Sequence, residues 1–413
     1  MDLKEAAEIA IGLASVKEEE MVELASSTGR VLAADIAAGR DYPGEYRSRW
    51  DGFALSSMDV SGASHRAPVL LDIVAGRVAA GDMPEEANAG GKSFRIMTGA
   101  VLPGGTDAVI PFEDASVVSD RLAITVPVAE KQGTVTPGAE ALAGEILLRR
   151  GDVLTPTRMA MAAAIGLGKV PVHKRPRVAI LATGNELREA GKNSSDSEGV
   201  FCNNLPLLLA LSECCGAESL PLGIAPDDPD TIFARLVQTR ADLIVTTGGT
   251  GSGAMDFIPE VWERLGVQVH FDSLNISPGK GSMLGSTGSR IFLGLPGNPW
   301  AAQMMFEEIA APLLRRMQGA RIWNRCSMAA RTSASIFKRP GFYRAVRGSL
   351  GRTAEKAIFI PIDTGPRLCH LPLLRSASAY VVLDPETTCV REGEEVVVKI
   401  PDLSLSGWAS LSE

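Results

Sequence analysis

Acidic side chains, a glycine-rich loop and a lysine are the groups in this sequence whose types and spacing could do chemistry. From Ala241 to Asp256 the chain reads ADLIVTTGGTGSGAMD. A β-branched run (Leu243, Ile244, Val245) stops at Thr246-Thr247 and opens into four glycines within six residues: Gly248, Gly249, Gly251 and Gly253. Asp256 follows, and is expected to cap the amphipathic stretch FIPEVWERLG. The pattern predicts strand, loop, helix. In an open α/β sheet such a loop lies beyond the carboxyl end of a strand, where ligands bind. Glycines let backbone N–H groups approach an anion, and a helix N-terminus adds partial positive charge. Taken alone, the loop reads equally as a tight turn without a ligand.

Three further loops are expected at the same sheet edge: Thr183-Gly184-Asn185-Glu186, Asp227-Asp228 and Pro296-Gly297-Asn298-Pro299. Glu186, Asp227, Asp228 and Asp256 could then gather. Carboxylates facing glycine-lined N–H groups are the makings of a Mg²⁺-dependent phosphate site, in which the metal offsets the anion's charge. Each carboxylate singly reads as a helix N-cap. Lys280, in a Pro-Gly-Lys turn, is either a point charge for an anion or a solvated lysine. Asp51 in WDGFA and Thr98-Gly99 in RIMTGAVLPGG stand out elsewhere, although turn formers look the same.

The elements that must position these groups follow from periodicity. Residues 1–40 read as helical, with Leu3, Ala6, Ala7, Ile9, Ala10 and Leu13 at helix spacing. From about 67 to 150 come short β-runs between turns, then a helix over 156–168. From Arg175 strands alternate with helices, which predicts a parallel sheet. Within that part NISPGKGSMLG reads as a hairpin, and NNLPLLLALSECCG as a helix capped by Asn203 or Asn204. After about 322 β-runs return, as a small barrel or sandwich. Predicted boundaries are 1–44 with 142–174 (helical), 45–141 (inserted, β-rich), 175–322 (α/β) and 323–413 (β).

The 413 residues carry 41 Lys and Arg against 49 Asp and Glu, a formal charge of −8. No basic surplus exists to neutralise nucleic-acid phosphates, so no nucleic acid partner is expected. The six cysteines show no CxxC spacing and the four histidines no ligand spacing, so no zinc site is expected. The start, MDLKEAAEIAIGLA, does not resemble a signal peptide, and no apolar run could span a bilayer. A soluble, cytoplasmic protein without membrane contact is the expectation.

Seven motifs, in this order, resemble the molybdopterin molybdenumtransferase family (the MoeA proteins and the matching part of gephyrin). They are Ser48-Arg49-Trp50-Asp51-Gly52-Phe53-Ala54, Arg95-Ile96-Met97-Thr98-Gly99-Ala100, Thr183-Gly184-Asn185-Glu186-Leu187, Asp227-Asp228, the Gly-Gly loop ending at Asp256, Pro278-Gly279-Lys280, and Leu295-Pro296-Gly297-Asn298-Pro299. The resemblance implies a multidomain α/β plus β protein, usually a homodimer. It would have a three-layer α/β molybdopterin-binding domain, a helical N-terminal domain, an inserted β domain and a C-terminal β-barrel. It also implies transfer of molybdenum from molybdate to adenylylated molybdopterin, with Mg²⁺-dependent release of AMP. Glu186, Asp228 and Asp256 would serve the metal and pyrophosphate, with Lys280 beside them. Thr183, Gly248, Gly249, Thr250, Gly251, Ser252, Pro296, Gly297, Asn298 and Pro299 would hold the pterin nucleotide, while Asp51 and Thr98 come from the partner subunit. A molybdoenzyme or adenylyltransferase would be a further partner.

The sequence departs from that family at three places. Thr134 to Glu140 replaces an Arg-rich run, Ser277 stands where the family has a lysine, and Trp300-Ala301 replaces Val-Ser. Two cations and a hydroxyl are thereby lost. The GGTG loop looks more like the related molybdopterin adenylyltransferases, so adenylyl transfer and a non-catalytic pterin-binding scaffold stand as alternatives.

Overall fold

A computed structural model describes residues 1–83, 89–191, 199–251, 256–322, 327–353, 356–362 and 378–401. The chain divides into two compact units. One contains residues 1–34, 150–156 and those from 169 onward; the other contains 35–149 and 157–168.

The first unit is built on a six-stranded sheet of β1 (Arg177–Thr183), β2 (Glu218–Ala225), β3 (Leu243–Thr247), β4 (Gln268–Phe271), β5 (Met283–Thr287) and β6 (Arg290–Leu295). The spatial order is β2-β1-β3-β6-β5-β4. The pairs β1–β2, β1–β3 and β3–β6 are parallel, whereas β5 and β4 add antiparallel at one edge. Helices cover both faces, so β1 and β3 are near-continuous apolar runs rather than alternating ones. Val178, Ile180, Leu243, Val245, Ile291 and Leu293 point into one core, with α1 (Asn204–Cys214) and the helix after β6. Ala179, Leu181, Ile244 and Phe292 point into the other, with α2 (Pro229–Val237) and α3 (Ile258–Arg264).

A closed five-stranded barrel completes the unit, formed from Ser327–Thr332, Tyr343–Arg352, Ala357–Pro361, Ala379–Leu383 and Glu395–Lys399. Closure removes the free edges that an open sheet of these runs would leave.

Two sequence expectations change. Within 1–40 only Leu3–Gly12 is an α-helix, and it buries Leu3, Ala6 and Ala10 in the α/β core. Glu19–Glu23 is a strand, paired antiparallel with Lys169–His173. Helix propensity is a weak prior, and pairing with a β-branched partner 150 residues away overrides it. The 275–285 segment is not a hairpin. Ile276–Ser277 pairs parallel with Tyr343 and Arg344 of the barrel, and only Met283–Thr287 joins the sheet.

In the second unit a six-stranded sheet places Gly52–Leu55 between Lys92–Ile96 and Ala108–Pro111, antiparallel to both. A Cβ on Gly52 would lie 1.9 Å from the Ile110 carbonyl oxygen, so only glycine fits there. The expected helix over 156–168 forms as Pro156–Ala164. Among the described residues no helix is long and apolar enough to cross a membrane.

Candidate functional site

The chain runs from β1 outward to β2, then crosses back to β3 on the other side of β1. The helices that follow β1 and β3 pack on opposite faces of the sheet, so the exits of these adjacent strands form a topological switch point, which is where open α/β sheets bind ligands. Thr183 to Glu186 leaves β1 there, and the glycine loop leaves β3.

The two loops are in intimate contact. A Cβ on Gly248 (φ +92°) would lie 2.5 Å from the Thr183 carbonyl oxygen, and one on Gly249 (φ +61°) 3.2 Å from Thr183 Oγ1. Both positive dihedrals and the absent side chains are required for this approach. Thr183 is 5 % exposed, and its hydroxyl has no hydrogen-bond partner. Asn185 N–H donates to Asp227 Oδ2 (3.0 Å), and Asp227 N–H donates back to Asn185 Oδ1 (3.1 Å), which ties the β1 loop to the β2 loop. The β6 loop joins through Gly248 N–H to the Leu295 carbonyl (3.1 Å). Asn298 caps the helix starting at Pro299 by accepting from Ala301 N–H (3.2 Å), as its position predicts. The Lys280 side chain is exposed. Its turn abuts the glycine loop, since a Cβ on Gly281 would be 3.7 Å from the Thr250 carbonyl oxygen. Thus Thr183, Glu186, Gly248, Gly249, Thr250, Gly251, Asp256, Pro296, Gly297, Asn298 and Pro299 stand on loops at one edge. Ser252 lies outside the described residues.

The carboxylates do not behave alike. Glu186 is exposed, its carboxylate turned over Gly184, where a Cβ would meet both oxygens at 2.8 Å. Asp256 Oδ2 likewise occupies the space a Cβ on Gly251 would need (2.7 Å). Asp256 is not the helix cap expected of it: α3 begins one residue later, and its N-cap is Phe257. Asp228 is the N-cap of α2, with Thr231 N–H (2.8 Å) and the Thr231 hydroxyl both donating to its Oδ2. These bonds, the hydroxyl's first, hold the Asp228 carboxyl below its ordinary value. Oδ1 takes no part in them. Because the folded value is depressed, the cap stabilises fully above the ordinary value of 3.8 and is lost as pH falls through the lowered one. Thermal melts of Asp228→Asn should therefore lie below the parent at neutral pH and converge with it in acid; a gap independent of pH would refute this.

Among the described residues no group of three or more His, Cys, Asp and Glu side chains is arranged to hold a metal ion. Glu186, Asp228 and Asp256 thus form no preformed cage. Mg²⁺ does not need such a cage. It keeps waters and is commonly bound by one or two carboxylates plus substrate phosphates. Glu186 and Asp256, beside glycine N–H groups, fit that mode.

Asn204 was expected only as a helix cap, and the structure gives it another part. Its side chain does not cap α1. Nδ2 instead donates to Thr247 Oγ1 (2.8 Å) and to the Gly297 carbonyl (2.9 Å). The sequence signal was an asparagine at the amino end of a helix facing a strand exit, which local capping rules assign to the wrong bond.

Asp51 and Thr98 belong to the second unit. Pairing of Gly52 with Ile96 sets them opposite each other, and Thr98 N–H (2.7 Å) and its hydroxyl (2.8 Å) both donate to Asp51 Oδ1. The backbone bond first, then the hydroxyl, lowers the Asp51 carboxyl. The pair is exposed, with Oδ2 outside both bonds.

A cavity of about 1240 Å³ lies at the other edge of the sheet, beside Arg175, Arg177, Arg240 and Asp242. Lys17, Lys174 and Arg177 there pair with carboxylates, and Arg175 donates to the Gly216 carbonyl just past a helix C-terminus. A second cavity of about 770 Å³ borders Ser277, Pro278 and Trp300 and is lined by Arg339, Arg344 and Arg347.

Similarity to known proteins bears on this arrangement. The family described as "MoeA N-terminal region (domain I and II)" matches residues 1–166, and "Probable molybdopterin binding domain" matches 179–316. A molybdopterin molybdenumtransferase of Staphylococcus aureus (strain MRSA252) is 30% identical over 361 residues, covering 87% of this chain and 86% of that protein. The Bacillus subtilis (strain 168) protein of the same name is 30% identical over 400 residues, covering 95% and 92%. The crystal structure of a molybdopterin biosynthesis MoeA protein from Pyrococcus horikosii superposes with a TM-score of 0.84 at 29% identity, covering 97% of this chain and 98% of that one. With the β1–β3 crevice and the closed barrel, these matches are decisive: the chain belongs to the molybdopterin molybdenumtransferase family and is a transferase.

Proposed function

We propose that this enzyme transfers molybdenum from molybdate to adenylylated molybdopterin, with Mg²⁺-dependent release of AMP. The observation that carries the reading is the convergence of Glu186, Asp256 and the Gly248–Gly251 backbone at the β1–β3 crevice. A pyrophosphate presents dense negative charge, and this edge offers what such a group needs: bare N–H donors, carboxylates for a bridging cation, and Lys280 on the neighbouring turn. Glu186 and Asp256 would hold the Mg²⁺ with the substrate's own phosphate oxygens, and Asp228 could add Oδ1 without giving up its cap. Held there, Mg²⁺ would supply charge neutralisation to the pyrophosphate. Pro296 and Pro299 set the shape of the pterin loop. Asp51 and Thr98 act from the second subunit of a homodimer.

The cavity beside Trp300 supports the same reading for molybdate. Where Ser277 leaves out a lysine, the barrel strand Tyr343–Arg352 supplies Arg344 and Arg347 in its place. Arg347 lies 5.8 Å from the Trp300 ring, a cation–π contact that keeps its guanidinium at this wall. The chain's net charge of −8 makes such a local basic pocket distinctive.

Incubating the purified protein with adenylylated molybdopterin, Mg²⁺ and molybdate should yield AMP. Absence of AMP at every molybdate concentration would refute the transferase reading. Formation of adenylylated pterin from ATP and molybdopterin would favour the adenylyl-transfer alternative that the GGTG loop suggests.

A further inference from the structure

Asn204 sits at the first position of α1, 6 % exposed, and both of its amide contacts reach across the chain. One goes 43 residues on to Thr247, the last residue of β3; the other goes 93 residues on to Gly297, just past β6. Thr247 Oγ1, having accepted from Asn204, donates in turn to the Pro296 carbonyl (3.1 Å). The Gly297 carbonyl can only accept, so the amide nitrogen must face it, and the orientation of the group follows from the network. That orientation leaves Asn204 Oδ1 buried without a hydrogen-bond partner.

We infer that Asn204 is a positioning residue: its amide holds the glycine loop and the 296–299 loop at the spacing the substrate requires. The inference rests on the site reading above and names a residue for it that touches no reacting atom. A buried acceptor left unpaired lowers stability, and an apolar side chain of similar size would avoid that cost. Nor does the residue serve the helix, since its side chain makes no cap bond. What the asparagine contributes, and leucine could not, is two N–H donors aimed at two different strand exits. The glycine-loop backbone beyond Gly248, whose N–H groups would face the ligand, hangs on one of those exits and the proline-bounded loop on the other. Without the bridge the strand ends stay paired and Gly248 keeps its bond to Leu295, but the loops beyond them lose the side-chain tie that fixes their spacing. Such a loss weakens substrate grip more than it weakens the fold.

The test uses the full-length protein with Asn204→Leu, and with Asn204→Asp as a second variant that keeps the shape and removes both donors. For Asn204→Leu the melting midpoint should stay within about 4 °C of the parent, because lost bonds and a removed orphan act in opposite directions. KM for adenylylated molybdopterin should rise about tenfold, with kcat changing less. Hydrogen exchange in 244–251 and 295–301 should accelerate at least severalfold, while exchange elsewhere in the sheet is unchanged. If Asn204→Leu fails to fold, Asn204→Asp should give the same KM and exchange changes. Unchanged KM and exchange in a folded variant would overturn the inference. So would a general loss of protection in which activity simply tracks the folded fraction. If the parent itself releases no AMP the function reading fails, while the exchange arm still decides whether Asn204 locks the two loops.

Discussion

Asp256→Asn is expected to reduce AMP release from adenylylated molybdopterin by about 10²–10³-fold in kcat/KM, the usual cost of removing one group that stabilises developing charge. The substitution preserves volume and removes only the negative charge. Asp256 Oδ2 lies over Gly251, where it faces the same backbone that would receive the pyrophosphate. The N-cap position of α3 belongs to Phe257, so the loss in AMP release should exceed any change in the melting midpoint. Glu186→Gln should act in the same direction. Asp228→Asn should act mainly on stability, because its carboxylate accepts both Thr231 bonds on one oxygen. Raising Mg²⁺ should partly restore Asp256→Asn if the lost group held the cation. Wild-type kcat/KM in Asp256→Asn would remove this residue from the mechanism.

The second large effect is expected from a single methyl group. Gly248→Ala would place a Cβ 2.5 Å from the Thr183 carbonyl oxygen and 3.0 Å from its hydroxyl, at a φ of +92°. The dihedral alone costs on the order of 1–3 kcal/mol. The carbonyl belongs to the end of β1 and cannot swing aside as a side chain would. The β1 loop and the glycine loop must therefore separate, and a displacement of about 1 Å can lower activity about 10²-fold. Gly166→Ala is the control: its φ is +86°, and nothing lies within 4 Å of the added methyl. It carries the same backbone strain without the clash, so it should lose stability and keep activity. Equal activity in the two alanine variants, measured by AMP release, would show that the contact between these loops does not matter.

Asp228, Asn298 and the two threonine-glycine turns illustrate how far local rules reach in this chain. A capping residue three positions before its N–H partner, a proline in the first helical turn and a β-branched run ending in glycine are all settled within one or two turns of backbone. The strand–loop–helix units after Arg175, the glycine loop and the cap at Asn298 were legible for that reason, and so was the family, because its motifs are themselves short and local. Strand order is another matter. That β3 lies beside β1 and not beside β2, which opens the crevice at Thr183, depends on burying two helical layers at once. Pairing of Glu19–Glu23 with a strand 150 residues away, and of Ile276 with the barrel, likewise answers to partners outside any sequence window.

The same division runs through the site. Which residues could bind an anion was readable from type and spacing; which atoms remain available was not. Asp228 spends one oxygen on its helix, the N-cap of α3 is Phe257 and not Asp256, and Asn204 bridges two loops rather than capping a helix. A side chain's hydrogen bonds go to whichever partner tertiary packing brings within about 3 Å. Sequence determines the donors and acceptors on offer, and only the folded chain decides which of them meet.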